Sequence, residues 1–216
     1  SVIRPKDIKI WKFKKINEKV FFPYTKNNHN YKLIDENEFK NKYPNSYEYL
    51  IQHKTKLLER KDSRKTFIEL KRPWYSLMRT GIPSDFESNK ILTLSIVNKP
   101  RFCIDETNSL YTTGGIYALI PKNQNLDIYP YLGMFNSNVI KYFLLEQGDR
   151  KRGGYISISA NLLKIIPCAS DQEILKKIVR YILFLTENND QDFLINLLTK
   201  YMNYIAYEIY FSKKFQ

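Results

Sequence analysis

Residues that build reactive and metal-binding sites are scarce in this chain. It has two cysteines, Cys103 and Cys168, and two histidines, His29 and His53. None of the four sits at metal-ligand spacing, and two cysteines cannot form a cysteine-based zinc site unaided. A reducing, cytoplasmic setting is the expected one. Glycine (7) and proline (9) are too few for a long disordered tract. No apolar run reaches the roughly 18 residues of a membrane span and no secretory leader is evident, so neither is expected. The sequence contains no P-loop, no GxGxxG, no GxSxG and no HExxH, which removes the commonest nucleotide, hydrolase and zinc-protease signatures.

What is present is basic and aromatic. The 216 residues carry 35 Lys and Arg against 22 Asp and Glu, a net charge of +13, with 17 Tyr and 13 Phe. Hydrophobic content of 43% and charged content of 26% are those of a globular chain with a real core. Lys, Asn, Ile and Tyr are abundant while Ala and Gly are scarce, as an AT-rich genome would produce. Codon bias inflates Lys but does not leave the acidic residues so far behind, so the surplus points to a polyanionic partner.

In chain order, Val20–Tyr24 reads as a short buried strand stopped by Pro23, Thr25–Asn30 as a polar turn and Tyr31–Ile34 as another strand. Asp35–Lys40 starts a helix. The clearest helix follows, with Tyr43, Tyr47, Leu50, Ile51, Leu57 and Leu58 on one face, Pro44 at its first position and Asn45 or Ser46 near its cap. Lys90–Val97 and Phe102–Ile104 are β-prone, Leu110-Tyr111 follows a turn, and Ile116–Ile120 is a strand ended by Pro121. Leu132, Phe135, Val139, Tyr142 and Phe143 recur at helical spacing and predict one buried helix over Leu132–Leu145. Gln147–Gly154 reads as a mobile polar loop, Tyr155–Ser159 as a strand, and Leu162–Pro167 as a short apolar run. Helices are expected over Asp171–Leu185 and Asp192–Phe211, joined by a polar connector at Glu187–Gln191 into an antiparallel pair.

Two basic clusters stand out. The first comprises Lys54, Lys56, Arg60, Lys61, Arg64 and Lys65, then Lys71, Arg72 and Arg79; against Glu59, Asp62 and Glu69 it is +6. It encloses Trp74 and Tyr75, whose rings either stack on bases or form core. The second is Arg150, Lys151 and Arg152 beside Gly153-Gly154, a loop that serves either as a binding element or as an ordinary solvated face. The two clusters are expected to flank one DNA cleft, with lysines on phosphates and an arginine at a base edge. An enzymatic alternative rests on Asp62, Glu69 and Lys71, an Asp…Glu-x-Lys arrangement of the kind metal-dependent nucleases use to activate water. A general RNA or single-strand binder using its aromatics is a third reading.

The order of segments resembles the TaqI-like C-terminal specificity domain of adenine-specific DNA methyltransferases and of fused type IIG restriction-modification enzymes. The pieces are RPKDIKIW (Arg4–Trp11), FFPY (Phe21–Tyr24), YPNSYEYLIQHKTKLLERK (Tyr43–Lys61), PWYSLMR (Pro73–Arg79) and KILTLSI (Lys90–Ile96). RFCIDETNSLY (Arg101–Tyr111), LGMFNSNVIKYFL (Leu132–Leu144), GGYISISANLLKIIP (Gly153–Pro167) and the tail MNYIAYEIYF (Met202–Phe211) continue it. The resemblance implies a target-recognition domain for double-stranded DNA in a bacterial cytoplasm. It also implies an upstream methyltransferase domain of the same polypeptide that binds S-adenosylmethionine and carries the Asn-Pro-Pro-aromatic motif for a flipped adenine. This chain has neither that motif nor a glycine-rich cofactor loop; Phe22-Pro23-Tyr24 lacks the required Asn. The chain by itself is therefore expected to bind DNA without methylating it. A type I specificity subunit, which uses similar domains, is a close variant.

The expected fold is α+β: an irregular, mostly antiparallel sheet with packed helices, followed by a C-terminal helix pair. The expected division places the target-recognition domain at residues 1–168 and a helical extension at 169–216.

Overall fold

β-branched and aromatic residues separated every few positions by Asn, Gly, Ser or Pro give many short strands rather than a few long ones. The computed structural model describes residues 1–14, 18–112, 114–123, 125–168, 173–188 and 192–211. Its first elements are β1 (Val2–Ile3), β2 (Tyr24–Asn27), β3 (Asn30–Leu33), α1 (Glu36–Lys42), α2 (Pro44–Ile51), α3 (Lys54–Leu58), β4 (Lys61–Asp62) and β5 (Lys65–Thr66). Then come α4 (Pro83–Glu87), β6 (Lys90–Leu94), β7 (Ile96–Val97), β8 (Phe102–Asp105), β9 (Leu110–Tyr111) and β10 (Ile116–Leu119). The remainder is α5 (Tyr129–Phe135), α6 (Asn138–Gln147), β11 (Asp149–Arg150), β12 (Ile156–Ser157), α7 (Ala160–Lys164), α8 (Glu173–Glu187) and α9 (Asp192–Phe211). The class is α+β, with small, mostly antiparallel sheets and a C-terminal helix pair.

The chain forms two compact units, one of Ser1–Lys19 with Phe86–Gln216 and one of Val20–Asp85, so the second is inserted in the sequence of the first. Compactness thus divides the chain at 19/20 and 85/86, whereas the sequence reading divided it after residue 168.

In the larger unit a three-stranded antiparallel sheet, ordered β10-β6-β8, forms the centre. Every residue of β6 and β8 is buried. Lys90 and Asp105 lie opposite each other in register, both side chains 0% exposed, with ammonium and carboxylate 2.8 Å apart. The ammonium also donates to the Phe86 and Ser88 carbonyls, and Asp105 accepts from the Thr107 N–H and hydroxyl. Such a pair is tolerable in a core because its remaining hydrogen-bonding capacity is largely met.

The single helix expected over Leu132–Leu145 is two helices. Asn136 breaks it, donating its amide to the Phe102 carbonyl and accepting the Phe102 N–H, both at 3.0 Å. Ser137 then caps α6, its hydroxyl accepting from the Ile140 N–H. The change of axis turns Tyr142 out to solvent and buries Ile140 and Leu144 instead. α8 buries Leu175, Ile178, Val179, Ile182, Leu183 and Leu185. It packs on α5 where Gly133 removes the side chain: a Cβ there would stand 2.8 Å from Val179 Cγ2. α9 is tied back by Asn203, which accepts from the Asn138 N–H, and by the Tyr210 hydroxyl, which donates to the Pro167 carbonyl. Expected helix positions 171–172 and connector positions 189–191 lie outside the described residues.

The smaller unit has its own small core of Ile34, Phe39, Trp74 and Tyr75, flanked by Tyr47, Leu50 and Leu57. Residues 25–30, expected as a turn, are most of a β2–β3 hairpin whose turn is Asn28-His29, with Asn28 left-handed at φ +52°. Val20 and Phe21, expected as buried strand, are exposed. Asp35 caps α1 by accepting from the Asn37 and Glu38 N–H groups. Pro44 opens α2 as expected, but its cap is Tyr43 and not Asn45 or Ser46. The long helix breaks at Gln52-His53, so the apolar face is shared by α2 and α3.

Candidate nucleic-acid interface

In the smaller unit the basic segment divides into cations that hold the fold and cations that face solvent. Arg60 belongs to the first group. Its guanidinium donates to the carbonyls of Leu57 (2.7 Å), Trp74 (2.8 Å) and Ser76 (3.0 Å) and lies 4.3 Å from the centre of the buried Phe67 ring. Burial lowers its pKa. Arg72 covers the same ring and pairs with Asp62 at 3.1 Å, while Arg79 reaches the same carboxylate oxygen at 3.3 Å. Trp74 and Tyr75 are core. The Trp74 indole N–H donates to Glu36, which also accepts from Tyr47, and the Tyr75 hydroxyl donates to the Ile34 carbonyl. Burial first, then nearby carboxylates, push the Tyr75 hydroxyl up to about 12. Of the two readings of these rings, the structure shows them packed in the core of the smaller unit. Lys54 stands 5.6 Å above the Trp74 ring.

The solvent-facing group is set on the β4–β5 hairpin, where Lys61 pairs with Thr66 and Asp62 with Lys65. Ser63-Arg64 makes the turn, with Ser63 left-handed at φ +62°. Lys61, Arg64 and Lys65 are exposed at its tip, as is Lys71 beyond it. Below the tip an open basin of about 520 Å³ is lined by Ser63, Arg64, Lys65, Leu70 and the Arg72–Asp62–Arg79 group. Its floor is a neutralised carboxylate and its rim is cationic, an arrangement that suits a phosphate better than a cation. Sequence reading missed Ser63 and Leu70; the only available signal was that each is a single uncharged residue between charged ones.

The two carboxylates of the nuclease reading are each engaged by other partners. Asp62 is engaged by two guanidinium groups. Glu69 accepts from the Thr66 N–H (2.5 Å) and hydroxyl (2.8 Å), which hold its carboxyl below the usual carboxylate range, and Lys71 takes a left-handed turn at φ +51°. Among the described residues no three His, Cys, Asp or Glu side chains gather as a metal site.

The second cluster lies in the larger unit and is also a hairpin rather than a loop. β11 and β12 pair through Asp149 with Ser157 and Arg150 with Ile156, and β12 pairs onward with β7. The root is buried by Ile156 and Ile158. It is closed by Gly148, where a Cβ would stand 2.7 Å from the Leu144 carbonyl oxygen. The tip exposes Arg150, Lys151, Arg152, Gly153 and Gly154. Both glycines are left-handed, at φ +73° and +74°, which is what the turn needs from them. Each cluster is therefore a cationic hairpin tip on a packed base, and the two belong to different compact units. No helix among the described residues is long and apolar enough to cross a membrane.

Residues 25–168 match the protein family described as the TaqI-like C-terminal specificity domain. The Type II methyltransferase M.MjaIV of Methanocaldococcus jannaschii is 28% identical over 183 residues, covering 80% of this chain and 57% of that protein. The Type II restriction enzyme and methyltransferase RM.Eco57I of Escherichia coli is 27% identical over 146 residues, covering 65% of this chain and 15% of that protein. The chain thus spans little more than half of one relative and a small part of the other.

Proposed function

Because the chain belongs to the TaqI-like C-terminal specificity domain family, we propose that it reads duplex DNA for an adenine-N6 DNA methyltransferase or a fused restriction-modification enzyme. The family match over residues 25–168 carries this reading. The two cationic hairpin tips support it, since both project several exposed cations from a packed base in a chain of net charge +13. Methyl transfer belongs to a separate domain in this reading, where S-adenosylmethionine supplies the methyl group. This chain lacks the Asn-Pro-Pro-aromatic motif and a glycine-rich cofactor loop. Its own residues position and discriminate. Lys61 and Lys65 neutralise phosphates, and Arg64, Arg150 and Arg152 are the forks able to meet the paired acceptors of a guanine edge.

The test is duplex binding by the full protein against a panel of single-base variants and over a salt series. Lys61→Ala and Lys65→Ala should weaken every sequence alike and reduce the salt slope by about one. Arg150→Ala or Arg152→Ala should cost about 1–3 kcal/mol at one base position. If both Arg variants lose no more affinity than Lys177→Ala on α8, the β11–β12 hairpin does not touch DNA.

A further inference from the structure

α9 has two faces that do different work. Met202 and Ala206 are buried against the rest of the larger unit, with Ile195, Leu198, Ile205 and Ile209 packed beside them. The opposite face is just as apolar and covered by nothing among the described residues. Phe193 is 76% exposed, Leu197 51%, Tyr204 70%, Tyr207 48% and Phe211 37%. With Lys200 these residues recur at alternating spacings of four and three along the whole helix. That is the 3.5-residue repeat of a helix–helix seam, and solvent exposure alone gives no reason for it.

We propose that this seam pairs with the same seam of a second copy of the chain, with the two α9 helices antiparallel about a two-fold axis level with Met202. In that register Phe193 meets the partner's Phe211, Leu197 meets the partner's Tyr207, and Lys200 meets the partner's Tyr204. The lone seam cation then lies against an aromatic ring. A parallel pairing would set Lys200 against the partner's Lys200. An isologous contact of this kind closes at two copies.

Charge and area agree with this occupant. Counted by residue, α8 carries Lys176, Lys177 and Arg180 with Glu173 and Glu187, and α9 carries Lys200 with Asp192 and Glu208, so the two helices sum to zero in a chain of +13. The helix pair thus adds no net charge to the approach of two basic chains. The exposed part of the seam is roughly 600 Å² per chain, at about 200 Å² for a whole aromatic side chain. Doubled over two copies it reaches the roughly 1,200 Å² at which specific interfaces begin.

Sedimentation of the full chain across the micromolar range tests this. The expected result is a monomer–dimer equilibrium. Leu197→Glu and Tyr207→Lys should each weaken it roughly tenfold or more, because each buries two unmatched charges. The double variant should recover most of the loss, since the antiparallel register sets the two introduced charges opposite each other. An equimolar mixture of the single variants should associate more tightly than either alone. Unchanged helical circular dichroism and tryptophan emission check that both variants fold. A chain that stays monomeric, including one whose seam binds only a separately supplied methyltransferase domain, overturns the proposal. So does a dimer indifferent to both single variants, or a double variant no tighter than the singles.

Discussion

Arg60 and Arg64 stand four residues apart in one basic run, and nothing in composition separates them. The fold gives them opposite work. Arg60 is wrapped in three carbonyls and laid over Phe67, while Arg64 stands at a hairpin tip. Arg60→Ala strips those carbonyls of a charged donor and uncovers Phe67. It should cost about 2–4 kcal/mol in urea denaturation followed by Trp74 fluorescence. Arg64→Ala should stay within about 0.5 kcal/mol of the parent. The basic run was legible in the sequence as charge. Which of its members are structural was not, because the carbonyls of Trp74 and Ser76 reach Arg60 only once the chain has turned back on itself. The same reversal buries Trp74 and Tyr75, whose amphipathic rings suit a core and a binding face equally well until their polar atoms find partners.

Elements with long, regular patterns were readable, and those decided by one side chain were not. α9 runs over the expected residues, β6 and β10 lie within their expected β-prone runs, and β8 runs one residue past its own; burial is continuous along β6 and β8. The helix through Leu132–Leu145 failed because periodicity continues across Asn136 while the backbone does not. A buried amide that satisfies both polar groups of Phe102 outweighs one more helical turn. Two-residue strands such as β4, β5 and β11 are too short to show alternation, so one hairpin passed for a basic run and the first arm of the other for a loop, while β12 lies within the expected Tyr155–Ser159 strand. Gly133 shows the reverse case, a plain glycine in a helix whose meaning is the neighbour it admits. Gly133→Ala should cost about 1–3 kcal/mol through overpacking against Val179, despite alanine's better helix propensity, and Val179→Ala in the same chain should recover part of the loss in thermal denaturation.

For the whole molecule, the order of family segments was legible, and the family match bears it out over residues 25–168, but the partition into units was not. The junctions at 19/20 and 85/86 carry no linker composition: an apolar VFFPY follows the first, and α4 runs across the second. Chance has placed one tryptophan in each unit, Trp11 and Trp74, both buried. The core around Trp74 is far smaller than that around Trp11, so the units should differ in stability. Single-tryptophan variants, Trp11→Phe and Trp74→Phe, should report two urea transitions, with the Trp74 signal lost at lower denaturant. Coincident midpoints would mean that the two units unfold as one.

The pairing of β1 with β9 joins Val2 to Leu110, and all of Val20–Asp85 lies between them. On a ribosome β1 therefore emerges well before β9 and pairs with it only after the whole inserted unit is made. Local hairpins and short helices form without it, and each one that compacts the intervening chain shortens the loop that β1 must finally close. The smaller core is thus the earlier one to assemble, and the larger is completed after it. Pulse-labelled hydrogen exchange during refolding should protect the β2–β3 amides before that of Leu110, whose N–H bonds to the Ser1 carbonyl. Early in sequence, β1 is among the last of these elements to find its place.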